Sequence, residues 1–217
     1  MNIRTTLITS SLIAASLVSG AAHAALQGRD LNGSAGSFEA WYDTELDITW
    51  LADANYAQTS GYDMDGRMDW ATANTWAASL SFTDGVNTYA DWRLPTSDTC
   101  VGFDYGCAGS EMGHLFYSEL GGTAGQSIST SADPDLAKFI NLQANDYWSA
   151  TEYAPDTNYA WYFDFYYGDQ GATAKSDGFA ALAVSPGDVA AVPEADTWVM
   201  LLAGLALVGA ATRRRRE

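Results

Sequence analysis

The sequence predicts an α+β domain of short strands and two to three short helices, framed by an apolar segment at each end of the chain. Three observations predict it. Short aromatic and β-branched runs recur along the middle of the 217-residue chain, separated by Gly, Asp and Asn turns. Apolar spacing of three and four residues occurs only over brief stretches, each behind a Ser or Asp able to cap a helix. The longest apolar stretches lie near residues 7–18 and 198–211, outside the strand-and-helix region.

The N-terminal run has the three parts of a secretory signal peptide. Arg4 precedes the apolar stretch, and Ala22-His23-Ala24 has the small-x-small pattern that signal peptidase cuts. Residues 1–24 are therefore expected to be removed at the site marked by Ala22 and Ala24. The expected domain runs over 25–185, followed by a Pro/Gly-containing linker over 186–192.

At the other end, Val192, Pro193 and Glu194 precede the second apolar run, and Arg213, Arg214, Arg215 and Arg216 follow it. As a helix at about 1.5 Å per residue, residues 198–211 reach about 21 Å. The hydrocarbon layer is about 30 Å thick, and bilayer thinning with Thr197 and Thr212 at the flanks closes the gap. The arginines form a cytoplasmic stop, so the domain faces the periplasm. The expectation for 193–217 is a sorting signal whose C-terminal hydrophobic helix, 198–211, inserts transiently in the inner membrane.

Arg4 and the four tail arginines leave five basic residues in the domain: Arg29, Arg67, Arg93, Lys138 and Lys175. Of 27 acidic residues, Glu194, Asp196 and Glu217 lie outside residues 25–192, so the domain with its linker carries a formal charge of −19. Such a surface repels nucleic acid and anionic lipid, which excludes both as partners. It also disfavours polyanionic polysaccharide. The abundance of Trp, Tyr and Phe is that of a chain with a core to bury.

Along the domain, residues 38–42 and 48–51 read as a hairpin around an Asp-rich loop. Asp69 caps a helix carrying Trp70, Ala73, Trp76 and Leu80. Ser110 starts a second helix with Met112, Leu115 and Phe116, ended by Gly121-Gly122. Asp133-Pro134 starts a short third. From Tyr147 the chain is strand-like: residues 147–149, 159–165 and 179–184, with a turn over 168–171. Cys100 and Cys107 flank a loop, and an oxidising compartment favours a disulfide between them. Closing so short a loop stabilises by about 2–3 kcal/mol.

Few residues point to chemistry. His114 is the only histidine of the domain, in a helical setting that reads as structural, and no Gly-x-Ser-x-Gly elbow surrounds any serine. No catalytic residue, metal ligand or cofactor is assigned, and an enzyme is not expected. Asp63, Asp65 and Asp69 alternate as calcium ligands do, but the EF-hand pattern fails at Gly66 and Asn74, and an Asp/Gly turn before the Asp69 cap is the simpler reading. Arg93 reads either as a ligand contact or, preferably, as a clamp on a buried acid. The contacts expected for a sugar are Tyr153, Trp161, Tyr162, Tyr166 and Tyr167, whose ring faces can stack on C–H surfaces. Strand alternation places about half of them in the core.

Several strings together carry a resemblance. They are Asp91-Trp92-Arg93-Leu94-Pro95, Tyr147-Trp148-Ser149, residues 160–165 with Gly168, and residues 183–189, with Asp47–Asn55 upstream. In this order they resemble the Lcl C-terminal-like domain family, long described as a domain of unknown function. The tail resembles the PEP-CTERM sorting signal, with Ala195 where the usual motif has a second proline. The first resemblance implies a C-type-lectin-like or formylglycine-generating-enzyme-like fold, an irregular antiparallel sheet with short helices, and adhesion through polysaccharide. The second implies processing by an exosortase in a Gram-negative bacterium, then release to the cell surface or extracellular matrix. Together they imply a non-catalytic, glycan- or exopolysaccharide-binding module of a biofilm. The alternative is a structural component of the extracellular polymer with no discrete ligand.

Overall fold

The structure, a computed structural model, describes residues 26–189 except 35, 99 and 101–103. The signal-peptide segment, the sorting motif at 192–194, the apolar run 198–211 and the terminal arginines lie outside the described residues. Among the described residues no helix is long and apolar enough to cross a membrane.

Two four-stranded antiparallel sheets organise the domain. The first has the order β1 (Leu26–Arg29), β2 (Ala40–Asp43), β3 (Ile48–Leu51), β10 (Val184–Pro186). The second has the order β6 (Asp104–Tyr105), β9 (Asp169–Ala174), β8 (Tyr159–Asp164), β7 (Asp146–Glu152). A two-stranded ribbon, β4 (Phe82–Thr83) with β5 (Thr88–Tyr89), stands apart. The helices are α1 (Tyr56–Thr59), α2 (Trp70–Ser79) and α3 (Glu111–His114), the last continuing as a π turn over Leu115–Glu119. The α+β class holds.

The expected hairpin is β2–β3. Asp43 makes its loop: Oδ1 accepts the amides of Glu45 and Leu46, both at 3.0 Å, while Asp47 takes a φ of 52°. β3 does not alternate in polarity because β2 and β10 flank it and both its faces are covered. Ile48 and Trp50 enter one core; Leu51 enters a second. The stretch 180–184 divides in the same way, with Ala180, Leu182 and Val184 in the first core and Ala181 and Ala183 in the second. In β7, Tyr147 joins the first and Trp148 the second. The strands are thus a wall between two cores. Met112, Leu115 and Phe116 of the α3 region cover one side; Ala73, Trp76 and Ala77 of α2 cover the other.

The caps fall where expected. Asp69 accepts the Thr72 amide at 2.7 Å, and Ser110 accepts that of Gly113 at 3.1 Å. The third helix is a 3-10 helix, Pro134–Lys138, capped by Asp133. Two expectations are corrected. The turn falls at residues 165–168 rather than 168–171, and β9 follows at once. Gly171 belongs to β9 because the Tyr162 ring lies over it: a Cβ there would stand 2.6 Å from that ring. The run 179–184 is mostly isolated bridges, Phe179 to Met68 and Ala180 to Tyr147, with a regular strand only from Val184.

Both ends of the described chain meet on the first sheet. Buried Arg29 forks onto Asp188, at 2.5 and 2.8 Å, joining β1 to the segment after β10.

Candidate functional site

The strings that carry the resemblance form the structural centre. Trp92, Leu94, Tyr147, Trp148 and Ser149 are buried, as is Pro95. Asp91 turns the chain at a φ of 65°, and Arg93 bridges Val184 through both backbone hydrogen bonds, at 2.8 and 2.9 Å. The Arg93 guanidinium forks onto Glu111 of α3 at 2.8 and 2.7 Å. It ties a loop to a helix, on an acid that is half-buried where a buried one is expected. Cys100 and Cys107 form a disulfide. The Cys107 carbonyl accepts the Ser110 hydroxyl at 2.9 Å, which sets the start of α3. Gly113 fits against the same carbonyl, where a Cβ would come within 1.9 Å.

The five aromatic residues expected to contact a ligand do not form one patch. Tyr166 and Tyr167, in the β8–β9 turn, are 49% and 48% exposed and meet edge to face at 4.6 Å. Tyr153 and Trp161 are half-buried and pack on each other at 5.2 Å. They lie toward the other end of β8, roughly 15 Å away at the rise of a strand residue. Tyr162 is half-buried between Phe179 and Gly171, and serves packing. Tyr105 of β6, 50% exposed, stands opposite Asp169 near the Tyr166–Tyr167 pair. Tyr117 fixes this corner: its hydroxyl donates to the Gly168 carbonyl and accepts the Gly106 amide at 2.9 Å.

Beside the turn, register places Asp146, Asp164 and Asp169 in one row across β7, β8 and β9. Burial, then the charges of Asp164 and Asp169, push the Asp146 carboxyl up to about 6, against the opposing pull of Arg67. Burial raises Asp164 and Asp169 as well. A carboxyl whose pKa is raised by folding opposes folding when ionised. Its cost is absent below the unfolded value near 3.8, grows as pH rises to about 6, and is complete above that. The melting temperature is therefore expected to rise on going from pH 7.5 to pH 5. Asp146→Asn is expected to melt higher than the parent at pH 7.5 and to narrow the difference between the two pH values. Equal pH dependence in both proteins would show that Asp146 does not titrate there.

A second cluster surrounds His114, which is buried. Its Nε2 lies 3.3 Å from Glu119 Oε1, 3.6 Å from Asp43 Oδ2 and 4.0 Å from Glu45 Oε2. Contact with Glu119 raises the imidazole pKa, the charges of Asp43 and Glu45 add to it, and burial opposes. Sequence reasoning assigned His114 a structural role and did not join it to Asp43 or Glu119. The available signal was its spacing from Glu119, five residues on, which only a π turn puts on one helix face.

The Asp63–Asp69 loop is a turn that consumes its own carboxylates. Asp63 Oδ1 accepts the amides of Asp65 and Gly66 at 3.0 and 2.9 Å, and Asp65 accepts that of Arg67 at 3.0 Å. Sequence reasoning also missed a groove of about 430 Å³ between the segment before β2, the end of β3 with the residues after it, and Phe82, with exposed Phe38 and Ile140 at its rim.

The model of the PEP-CTERM protein-sorting motif matches residues 191–216. The chain therefore carries the signal for exosortase processing and export across the membrane in Gram-negative bacteria. No curated protein and no solved structure matches it. The Lcl C-terminal domain model matches residues 39–185, which hold most of both cores, the Arg93–Glu111 pair and the tyrosine corner, and the chain belongs to the Lcl C-terminal domain family.

Proposed function

We propose that the exported domain is a non-catalytic binding module for a glycan or exopolysaccharide at the cell surface or in the extracellular matrix. The observation that carries this reading is the Tyr166–Tyr167 corner. Two half-exposed rings at right angles present a face for sugar C–H groups and two hydroxyls for hydrogen bonds. Tyr117 holds the turn, so little ordering is needed on binding. The domain charge of −19 selects a neutral or weakly charged saccharide. Both cysteines are tied in the disulfide, which removes them as nucleophiles. A kinship with C-type-lectin-like and formylglycine-generating-enzyme-like folds accords with the irregular antiparallel sheets. Signal peptidase and an exosortase are the processing partners.

A glycan array probed with the purified protein tests the reading. Binding to at least one neutral glycan is expected, with a loss of about tenfold or more when Tyr166 and Tyr167 are both replaced by Ala, the scale of a lost stacking platform. Binding lost through Phe38→Ala instead would move the seat to the groove. No glycan bound, with loss of biofilm cohesion on gene deletion, would favour a structural component of the polymer.

A further inference from the structure

We infer that Asp43, His114 and Glu119, completed by Glu45, form a binding site for one divalent transition-metal ion, Zn²⁺ in the first instance. The coordinating atoms of Asp43, His114 and Glu119 all lie within 4.8 Å of one another, and all three residues are buried. Around a tetrahedral ion with bonds of about 2.0–2.1 Å, neighbouring donor atoms stand about 3.3 Å apart. His114 Nε2 lies at 3.3 and 3.6 Å from Glu119 and Asp43, near that spacing, while exposed Glu45, at 4.0 Å, closes in to complete the set.

The cluster is unsatisfied as it stands. His114 Nε2 and Glu119 Oε1 face each other at 3.3 Å without hydrogen-bond geometry, and neither has any other hydrogen-bond partner, although their side chains are only 6% and 2% exposed. Buried polar atoms are rarely left so, because each lacks the partners water gave it. Two buried carboxylates also face one imidazole, and a doubly charged cation offsets that excess.

The backbone is shaped to make the cluster. In an α-helix, residues five apart point about 140° away from each other. Leu120 donates to Leu115 at 2.9 Å, a bond across five residues, and this wider turn brings Glu119 above His114. Such turns are rare and concentrate at functional sites. Asp43 is held from behind: the Glu45 and Leu46 amides bind Oδ1, and Trp50 Nε1 lies 3.4 Å from Oδ2. Outer contacts of this kind orient metal-ligating carboxylates.

The donor set selects the ion. One imidazole with carboxylates suits zinc and its neighbours, whereas calcium takes oxygen ligands alone. Glu45 is 63% exposed and gives the ion its entry. Four protein donors leave no open position, so the ion fastens the β2–β3 hairpin to the α3 region, as closed zinc sites do.

The test uses the full chain in mild detergent, stripped with a chelator and titrated with ZnCl₂ by calorimetry. One Zn²⁺ per chain is expected, with a melting temperature raised by about 5 °C or more at saturation and little response to CaCl₂. His114→Ala and Glu119→Gln are each expected to weaken binding at least tenfold. Zinc taken up equally by both variants would come from surface carboxylates and would overturn the inference, as would an unchanged melting temperature. Should His114→Ala fail to fold, Glu45→Gln, at the exposed rim, is expected to weaken binding severalfold. X-ray absorption of the zinc-loaded parent is expected to show one imidazole among oxygens; an all-oxygen shell would refute the site.

Discussion

Trp148→Ala is expected to destabilise the domain by about 4 kcal/mol, within the range for deleting a buried tryptophan. Domain stabilities are about 5–15 kcal/mol, so this is a large share of the whole. Trp148 is fully buried in the second core, tilted on Phe179 at 4.7 Å between ring centroids. Its indole donates to the Met68 carbonyl at 2.8 Å, and its amide donates to Ala180 at 3.0 Å. One residue therefore joins β7, the segment before α2 and the buried 180–184 stretch. Alanine would leave a cavity on the α2 side and remove one of two donors to the Met68 carbonyl, which keeps the Phe179 amide at 3.1 Å. Trp148→Phe separates the two effects: it refills most of the volume, removes the indole bond while Met68 keeps the Phe179 amide, and is expected to cost about 1 kcal/mol. Urea unfolding of the three proteins measures both. A cost for Ala under about 1 kcal/mol would mean that the α2 side can collapse into the space.

The parts of the fold legible in the sequence are those set by local chemistry. Asp43 marks a hairpin loop by accepting two loop amides, and Asp47 by its left-handed backbone. Asp69 and Ser110 cap helices through residues three further on. The C-terminal sorting signal is legible for the same reason, being a contiguous run of apolar residues and charge. β9 is harder to read, since Gly171 resembles a turn residue until Tyr162 is seen to cover it. The tyrosine corner was half legible: alternation gives the parity of β8, but not that Tyr153 and Trp161 pack on each other. The His114 cluster was illegible. Asp43 comes from a distant hairpin, and Glu119 reaches the histidine only because the helix widens. Both depend on packing between elements, which periodicity does not encode.

Breaking the Arg93–Glu111 pair is expected to cost about 2 kcal/mol. Opening a fully buried pair costs about 3–5 kcal/mol and an exposed one under about 1 kcal/mol. The Arg93 side chain is 32% exposed and that of Glu111 14%, which places the pair between these limits. Both terminal guanidinium nitrogens, Nη1 and Nη2, are used, and Glu111 also accepts the Thr96 amide at 2.6 Å, so the carboxylate ties the loop to α3 twice. Arg93→Ala and Glu111→Ala are each expected to lose about 2 kcal/mol in urea unfolding, and the double variant only slightly more, because each change removes the same contact. Arg93→Lys is expected to recover under half, since an ammonium cannot make the planar fork. Glu111→Ala should cost more than Arg93→Ala, because it also frees the Thr96 amide. The series distinguishes the clamp from a ligand contact. A binding arginine would lose glycan affinity on substitution and leave stability unchanged. A clamp loses stability, and touches binding only through α3 and the Tyr117 tether that follows it in the chain.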